Sequence, residues 1–341
     1  MAEDIPKPGR GLILGKFMPP HLGHAYLVDF ARSYVERVTV VVGSLDREPI
    51  PGQLRYAWVR EMFPGANVVH LTEELPQEPS EHAEFWRLWR ESLRRVHPEP
   101  IDFVFASEPY GLELAEVLGA AYVPVDHARE LVPVSGTAIR EDPMGNWRFI
   151  PPCVRPYFVK RVVLFGPEST GKSVLAKRVA EQFGTVYASE YARPLLELQD
   201  NRCDYEDIER IARGHLASEE ALARQANRVL ISDTDMLTTT VWSEALFGRC
   251  PAWLKEEAPR RRYDLTLLCD IDSPWHDDGT RFFPNDREAF MERCVKALEA
   301  ADRPYVKIGG TWEQRFSKAC EVVDALIKPG ARSGRPAPYL P

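Results

Sequence analysis

Residues 160–184 read KRVVLFGPESTGKSVLAKRVAEQFG: an apolar run, a loop between two glycines, then apolar residues at helical spacing. Gly166, Gly171, Lys172 and Ser173 complete the pattern G-x-x-x-x-G-K-S, with Ser169 and Thr170 inside the loop. Glycines at these places let successive backbone N–H groups curl around phosphate oxygens, and the following helix adds the positive end of its dipole. Lys172 can reach the outer phosphates of ATP, and the Ser173 hydroxyl can ligate Mg²⁺. A strand that passes into a helix through such a loop predicts a parallel sheet, because the helix must run back before the next strand begins. About 160 residues precede this loop and need their own explanation.

A chain of 341 residues is long for a single core and predicts two domains. Proline is dense from Pro143 to Pro156 and no period runs through it, so the boundary belongs near residues 150–158. The expected domains are 1–154 and 155–328, with residues 329–341 a disordered tail. A net charge of −8 argues against a general nucleic-acid or membrane-surface binder, so phosphate-bearing substrates need local cations. The six cysteines form no C-x-x-C pair, which favours free thiols in a reducing compartment. With no apolar run of membrane-spanning length and no signal-like N-terminus, a cytoplasmic location is expected. Homo-oligomerisation is left open.

The first half alternates strand and helix signals. Leu12–Leu14 and Val38–Val42 are uniformly apolar, as buried parallel strands are. Residues 66–71, 103–106 and 122–125 continue the strands, with helical patterns near 80–96 and 112–118. His21 and His24 follow the first strand at a helix start, where ligands of parallel sheets bind. Two histidines three apart are a weak metal signal without a third ligand, whereas imidazole donors beside a helix N-terminus suit a polyphosphate. His21-Leu22-Gly23-His24 resembles the H-x-G-H signature of the nucleotidyltransferase superfamily, in which a side chain on Gly23 would obstruct adenine and ribose. Ser135-Gly136-Thr137-Ala138-Ile139-Arg140 resembles the S-x-T-x-[IL]-R motif of the same superfamily. Ser135 and Thr137 can cap a helix and present N–H groups to phosphate, with Arg140 adding charge. Asp46, Arg47 and Arg55 follow the second strand, the arginines as candidate clamps on a substrate phosphate or as solvated loop charges. Trp86 and Trp89 fit core packing better than a cofactor box.

In the second half, Thr185–Ala188 reads as a strand and leads into Ser189-Glu190-Tyr191-Ala192-Arg193. Glu190 and Arg193 stand where such kinases meet the phosphoryl acceptor, or they pair at a helix start. Residues 205–228 form a long helical pattern that runs into Val229–Ser232, a strand ending in Asp233-Thr234-Asp235. Asp233 suits Mg²⁺ binding or proton acceptance, and Asp235 suits a sugar hydroxyl. Leu265–Cys269 is a further strand, followed by a polar stretch through Trp275 and Arg281 that reads as a lid. Arg281 and Arg287 are candidates to neutralise the moving phosphoryl group, and Trp275 to stack on a flat cationic ring.

GKFMPPHLGH, SGTAIR, GPESTGKS, SEYAR, DTD, DSPWHDDGTRFF and the VRPYFVK junction together resemble the bifunctional nicotinamide-mononucleotide adenylyltransferase/ribosylnicotinamide kinase family (NadR-type). The resemblance runs from about Arg10 to Ile327. It implies an α/β chain of two doubly wound parallel sheets, an N-terminal Rossmann-like nucleotidyltransferase and a C-terminal P-loop kinase. Some members carry an N-terminal helix-turn-helix domain; about ten residues precede the first strand here, so operator binding is expected to be absent. The implied chemistry is phosphorylation of nicotinamide riboside by Mg·ATP to the mononucleotide (NMN), then adenylyl transfer from ATP to NMN, giving NAD and pyrophosphate. Gly15, Lys16, Phe17, His21, Gly23, His24 and Arg140 would serve ATP in the adenylyl step. Tyr191, Arg193 and Trp275 would meet the riboside, with Asp233 the first choice of base and Glu190 the second. Alternatives are an adenylyltransferase–kinase fusion with other substrates and a non-enzymatic nucleotide sensor.

Overall fold

A computed structural model describes residues 8–275 and 286–330. These divide into two compact units, one ending at Val154 and the other beginning at Arg155. Arg281 and the tail from residue 331 lie outside the described residues. Among the described helices none is long and apolar enough to cross a membrane.

The first unit runs β1 (Arg10–Gly15), α1 (Leu22–Tyr34), β2 (Arg37–Gly43), α2 (Gly52–Met62), β3 (Asn67–Leu71), α3 (Phe85–Val96), β4 (Phe103–Ala106), α4 (Tyr110–Leu118), β5 (Ala121–Pro124) and α5 (Gly136–Glu141). Its five strands are parallel in the order β3-β2-β1-β4-β5. Val40, Val41 and Val42 of β2 are all fully buried, because parallel strands are covered on both faces. Val28 and Ala31 of α1 cover one face, while Leu93 of α3 and Leu114 of α4 pack on the other.

The second unit runs α6 (Arg155–Phe158), β6 (Lys160–Phe165), α7 (Lys172–Gln182), β7 (Tyr187–Ala188), α8 (Ala192–Glu197), α9 (Tyr205–Ala223), β8 (Val229–Asp233), α10 (Met236–Phe247), α11 (Ala252–Arg260), β9 (Leu265–Cys269), α12 (Arg287–Ala300), β10 (Val306–Ile308) and α13 (Trp312–Ile327). Its sheet is also parallel, in the order β10-β9-β6-β8-β7. In both sheets the first strand is central and the chain reverses direction beside it, so a crevice opens at that strand's carboxyl end. Two doubly wound α/β sheets are thus present, as the alternating pattern predicts.

Two charged residues have a different place from the one the sequence suggests. Arg55 faces inward on α2 and is fully buried. It donates to the carbonyl oxygens of Lys16, Gly43 and Ile50 and pairs with Glu48. A guanidinium so engaged braces two loops and has no fork left to clamp a substrate phosphate. The same inward arginine interrupts the apolar period that would have revealed α2.

Asp235, expected at a sugar hydroxyl, is the N-cap of α10. One carboxylate oxygen accepts from Thr238 N at 2.8 Å and Thr238 Oγ1 at 2.9 Å, and the other meets buried Arg303. Both oxygens are spent within the fold. Removing one partner of such a pair leaves a buried charge uncompensated, so Arg303→Met should cost the second unit about 3 kcal/mol. Urea denaturation checks this; a loss below about 1 kcal/mol would show that the pair is not what holds α10 in place.

Candidate active sites

In the first unit the loop after β1 carries Lys16, Phe17 and the histidine pair. His21 is the N-cap of α1: its Nδ1 accepts from Gly23 N at 3.2 Å, while His24 Nδ1 accepts from His21 N at 3.2 Å. This is a capping box built from two imidazoles. Because each Nδ1 is an acceptor, each neutral ring carries its proton on Nε2, leaving two N–H donors beside a helix N-terminus. The rings lie 3.8 Å apart between centroids, and the Phe17 ring lies 4.7 Å from that of His24, tilted by 45°. Burial, reinforced by the charge of Arg129, lowers His21 to about 4; burial, His21 and Arg129 also lower His24 well below its ordinary value.

Gly23 fits this packing for a reason the motif does not show. A Cβ there would lie 3.0 Å from the His21 ring, pressing on the side chain that caps the helix. Phe17 is 2% exposed, so only its backbone can face a nucleotide. A side chain on Gly15 would in turn meet the Phe17 ring at 3.2 Å. Lys16 Nζ is half exposed, 3.2 Å from Glu48 Oε1, and Arg47 lies exposed on the loop after β2.

Ser135 caps α5 by accepting from Ala138 N at 3.1 Å. Arg140 donates to the carbonyl of Met18 and, at 3.1 Å, to Thr137 Oγ1. The two motifs, more than a hundred residues apart in sequence, therefore meet beyond the carboxyl end of central β1. Arg129, which carries no motif signal in the sequence, acts electrostatically on both histidines. Its loop is stapled by the Asp126 carboxylate, which accepts from Glu130, Leu131 and Val132 N–H groups at 3.0–3.2 Å.

In the second unit the phosphate loop leaves β6 between Asp233 of β8 and Cys269 of β9. Gly166 (φ +132°), Ser169 (φ +55°) and Gly171 (φ +79°) turn its backbone, and Gly171 caps α7 in the left-handed region. Thr170 Oγ1 and Lys172 Nζ both donate to Pro167 O, at 2.8 and 2.7 Å. From below, buried Arg315 donates to Thr170 O at 3.2 Å and Asp270 O at 3.1 Å, and pairs with Asp272. Arg287 reaches Ser169 O at 3.3 Å. Asp233 is 1% exposed, and its Oδ1 has no hydrogen-bond partner. Lys172 and Asp233 both act electrostatically on the buried Cys269 thiol, which burial raises to about 12.

A cavity of about 370 Å³ extends from Lys172 and Ser173 past Glu190, Tyr191 and Arg193 to α9 and α10. Glu190 and Arg193 face each other at 3.8 Å. Its far end is apolar, with Ile208, Ile211, Leu246 and Trp242, the last packed against Phe290 at 4.4 Å. Trp275 does not line this cavity; its ring is 5.8 Å from the Arg287 guanidinium. Trp242 of α10 is the tryptophan that lines the cavity. Among the described residues no cluster of three or more metal-ligating side chains occurs.

The trifunctional NAD biosynthesis/regulator protein NadR of Escherichia coli is 31% identical to this chain over 93% of its length, covering 83% of that protein. The chain belongs to the NadR family. The Salmonella typhimurium NadR is 29% identical over the same shares. A nicotinamide-nucleotide adenylyltransferase of Aeropyrum pernix is 32% identical over 38% of the chain and 77% of its own length. An AAA domain model matches residues 161–315, the phosphate-loop unit. A crystal structure of NadR in complex with NR has the same fold, with a TM-score of 0.76, 22% identity and 99% of both chains covered.

The histidine packing generates a titration test. Neutral buried imidazoles bind fewer protons in the folded than in the unfolded chain between pH about 6.5 and 4. Their contribution to stability is complete above that window and is lost as pH falls through it. NMR titration should place the His21 midpoint near 4 and that of His24 well below the ordinary histidine range. Midpoints near 6.5 for both would mean that the rings are open to solvent.

Proposed function

We infer that this NadR-family chain makes NAD from nicotinamide riboside in two ATP-dependent steps, one in each unit. The second unit phosphorylates the riboside to NMN, and the first joins NMN to AMP from ATP with release of pyrophosphate. The observation that carries this reading is the presence, on two separate parallel sheets, of an imidazole–helix site and a phosphate loop. They occur in a chain 31% identical to a NAD-biosynthetic relative over nearly its whole length.

The adenylyl step begins with a nucleophile that is already an ionised phosphate, so the site needs no base. Two neutral Nε2–H donors, the N-terminus of α1, Lys16 and Arg140 suit its real task, which is to hold a triphosphate in line and take up charge as pyrophosphate departs. Ser135 and Thr137 place the second helix start against the same phosphates.

The kinase step begins with a neutral hydroxyl, and carboxylates at the strand ends are useful there. Asp233 is favoured as the base or Mg²⁺ group because it ends β8 beside the loop with an unpartnered carboxylate oxygen. Glu190, already opposite Arg193, is better placed to hold the acceptor. The donor set fits Mg²⁺: one hydroxyl (Ser173) and one carboxylate (Asp233) leave most positions to phosphate oxygens and water, as this ion prefers. Bound there, Mg²⁺ would neutralise charge between the outer phosphates. Lys172 and the loop N–H groups hold the phosphates, and Tyr191, Arg193 and Trp242 wall the riboside.

Supplying riboside with Mg·ATP should give NMN first and NAD later, followed by chromatography. Lys172→Ala should lower riboside phosphorylation by a factor of about 10³ or more while sparing NAD formation from added NMN. His24→Ala should do the reverse, by about 10² or more. Loss of both activities in either variant would contradict two independent sites.

A further inference from the structure

β10 hands the chain through Gly309 and Gly310 to α13, whose first residue is Trp312. Of the eight tryptophans it is the most exposed, at 43%. A single exposed ring on open surface needs no explanation, but this one stands against the phosphate loop. A Cβ on Gly171, the residue that caps α7, would lie 2.1 Å from Trp312 Cη2 and 2.4 Å from Cζ3. The indole therefore occupies the space over that glycine, one residue before Lys172. The first turn of α13 is itself held firmly. Thr311 and Gln314 form a capping box, and buried Arg315 donates to Gly310 O at 3.0 Å and to Thr170 O at 3.2 Å. One turn on, the Arg178 guanidinium of α7 lies 4.4 Å from the Phe316 ring. The indole is thus set beside the loop by its own helix before any ligand arrives.

We propose that Trp312 is the platform on which the base of the phosphoryl donor stacks in the kinase site. The inference rests on the riboside-kinase reading above, in which the phosphate loop holds ATP. Sheet order decides which side of the loop the base takes. The loop follows central β6, and the acceptor cavity opens toward β8 and β7, lined by Glu190 and Arg193 after β7 and by α9 and α10. In-line transfer sends the outer phosphoryl group toward that cavity and leaves the rest of the donor pointing away from it. β10 and the start of α13 stand at the opposite edge of the sheet. A purine is flat and uncharged, and stacking on an indole asks nothing of its polar edge. Arg315, beneath, is engaged with three carbonyls and Asp272, so it supports the platform rather than competing for the ligand. Gly171 then serves twice. Its φ of +79° turns the backbone, and its missing side chain lets the indole approach the loop.

Steady-state kinetics of the full chain test this, with ADP formation as the readout, because the adenylyl step releases pyrophosphate instead. Trp312→Ala should raise the ATP KM for riboside phosphorylation about tenfold or more while the riboside KM stays within about twofold. Trp312→Phe, which keeps a ring, should recover most of the loss. NAD formation from added NMN, a fold control, should be unchanged. Inorganic tripolyphosphate, used as a competitor of ATP with Mg²⁺ in excess, provides the decisive arm, since it has the phosphates and no base. Its inhibition constant should differ by less than about twofold between wild type and the alanine variant. A loss of tripolyphosphate binding equal to that of ATP would mean that the indole only props the loop at Gly171, and overturns the proposal. An unchanged ATP KM in the alanine variant overturns it as well. A wild type that phosphorylates no riboside overturns the kinase reading instead.

Discussion

One buried guanidinium in each unit holds the loops on which its site is built. Arg55 ties the carbonyls of Lys16, Gly43 and Ile50 together in the first unit. Arg315 does the same for Thr170, Asp270 and Gly310 in the second. The need is physical. Parallel strands that end side by side release their chains into irregular loops whose carbonyls have left the sheet ladder but remain buried. Arginine alone brings five donors in a fixed fork, so one side chain can satisfy carbonyls from two or three loops at once. Its desolvation is offset by a carboxylate on the same loops, Glu48 in one case and Asp272 in the other. Each site loop is therefore fixed relative to its neighbours before any substrate contributes.

That constraint explains what the sequence discloses. Strands buried on both faces are continuous apolar runs, so β1, β2, β6, β8 and β9 stand out. The glycine loop and the histidine pair are equally visible, because their chemistry needs fixed residues within one turn. Helices that carry a buried charge or bury every side are hidden. α2 turns Arg55 inward, and α10 is packed against α9, α11 and α12, so it has no polar face to set a period.

The hidden part of each site has a common cause. Arg129 stands more than a hundred residues from the histidine pair, and Arg315 as far from the phosphate loop; both are brought beside them by sheet order. A lone histidine between apolar residues, or a tryptophan on an apolar helix, has the same signature as core packing. Asp235 errs in the other direction: in sequence it looks as functional as Asp233 two residues earlier. The backbone separates them, since Asp233 ends the strand with an oxygen free of partners while Asp235 begins the next helix and caps it.

The two sites solve opposite electrostatic problems on the same scaffold. In both, the first strand is central and the ligand loop follows it, so phosphates meet a helix N-terminus at the sheet's reversal point. Around the histidine pair, burial and Arg129 favour neutral imidazoles, so as donors to a polyphosphate they would add no fixed charge to a place that has to bind and release it. Around the phosphate loop charges of both signs act on one place instead, Lys172 and Asp233 both reaching the Cys269 thiol. For His215, burial works against the charged ring, but the Glu219 carboxylate outweighs it and raises the imidazole above its usual range. A site that deprotonates a hydroxyl and moves a phosphoryl group needs charges of both signs held in fixed positions. A site joining two phosphate-bearing molecules needs donors that let the product leave.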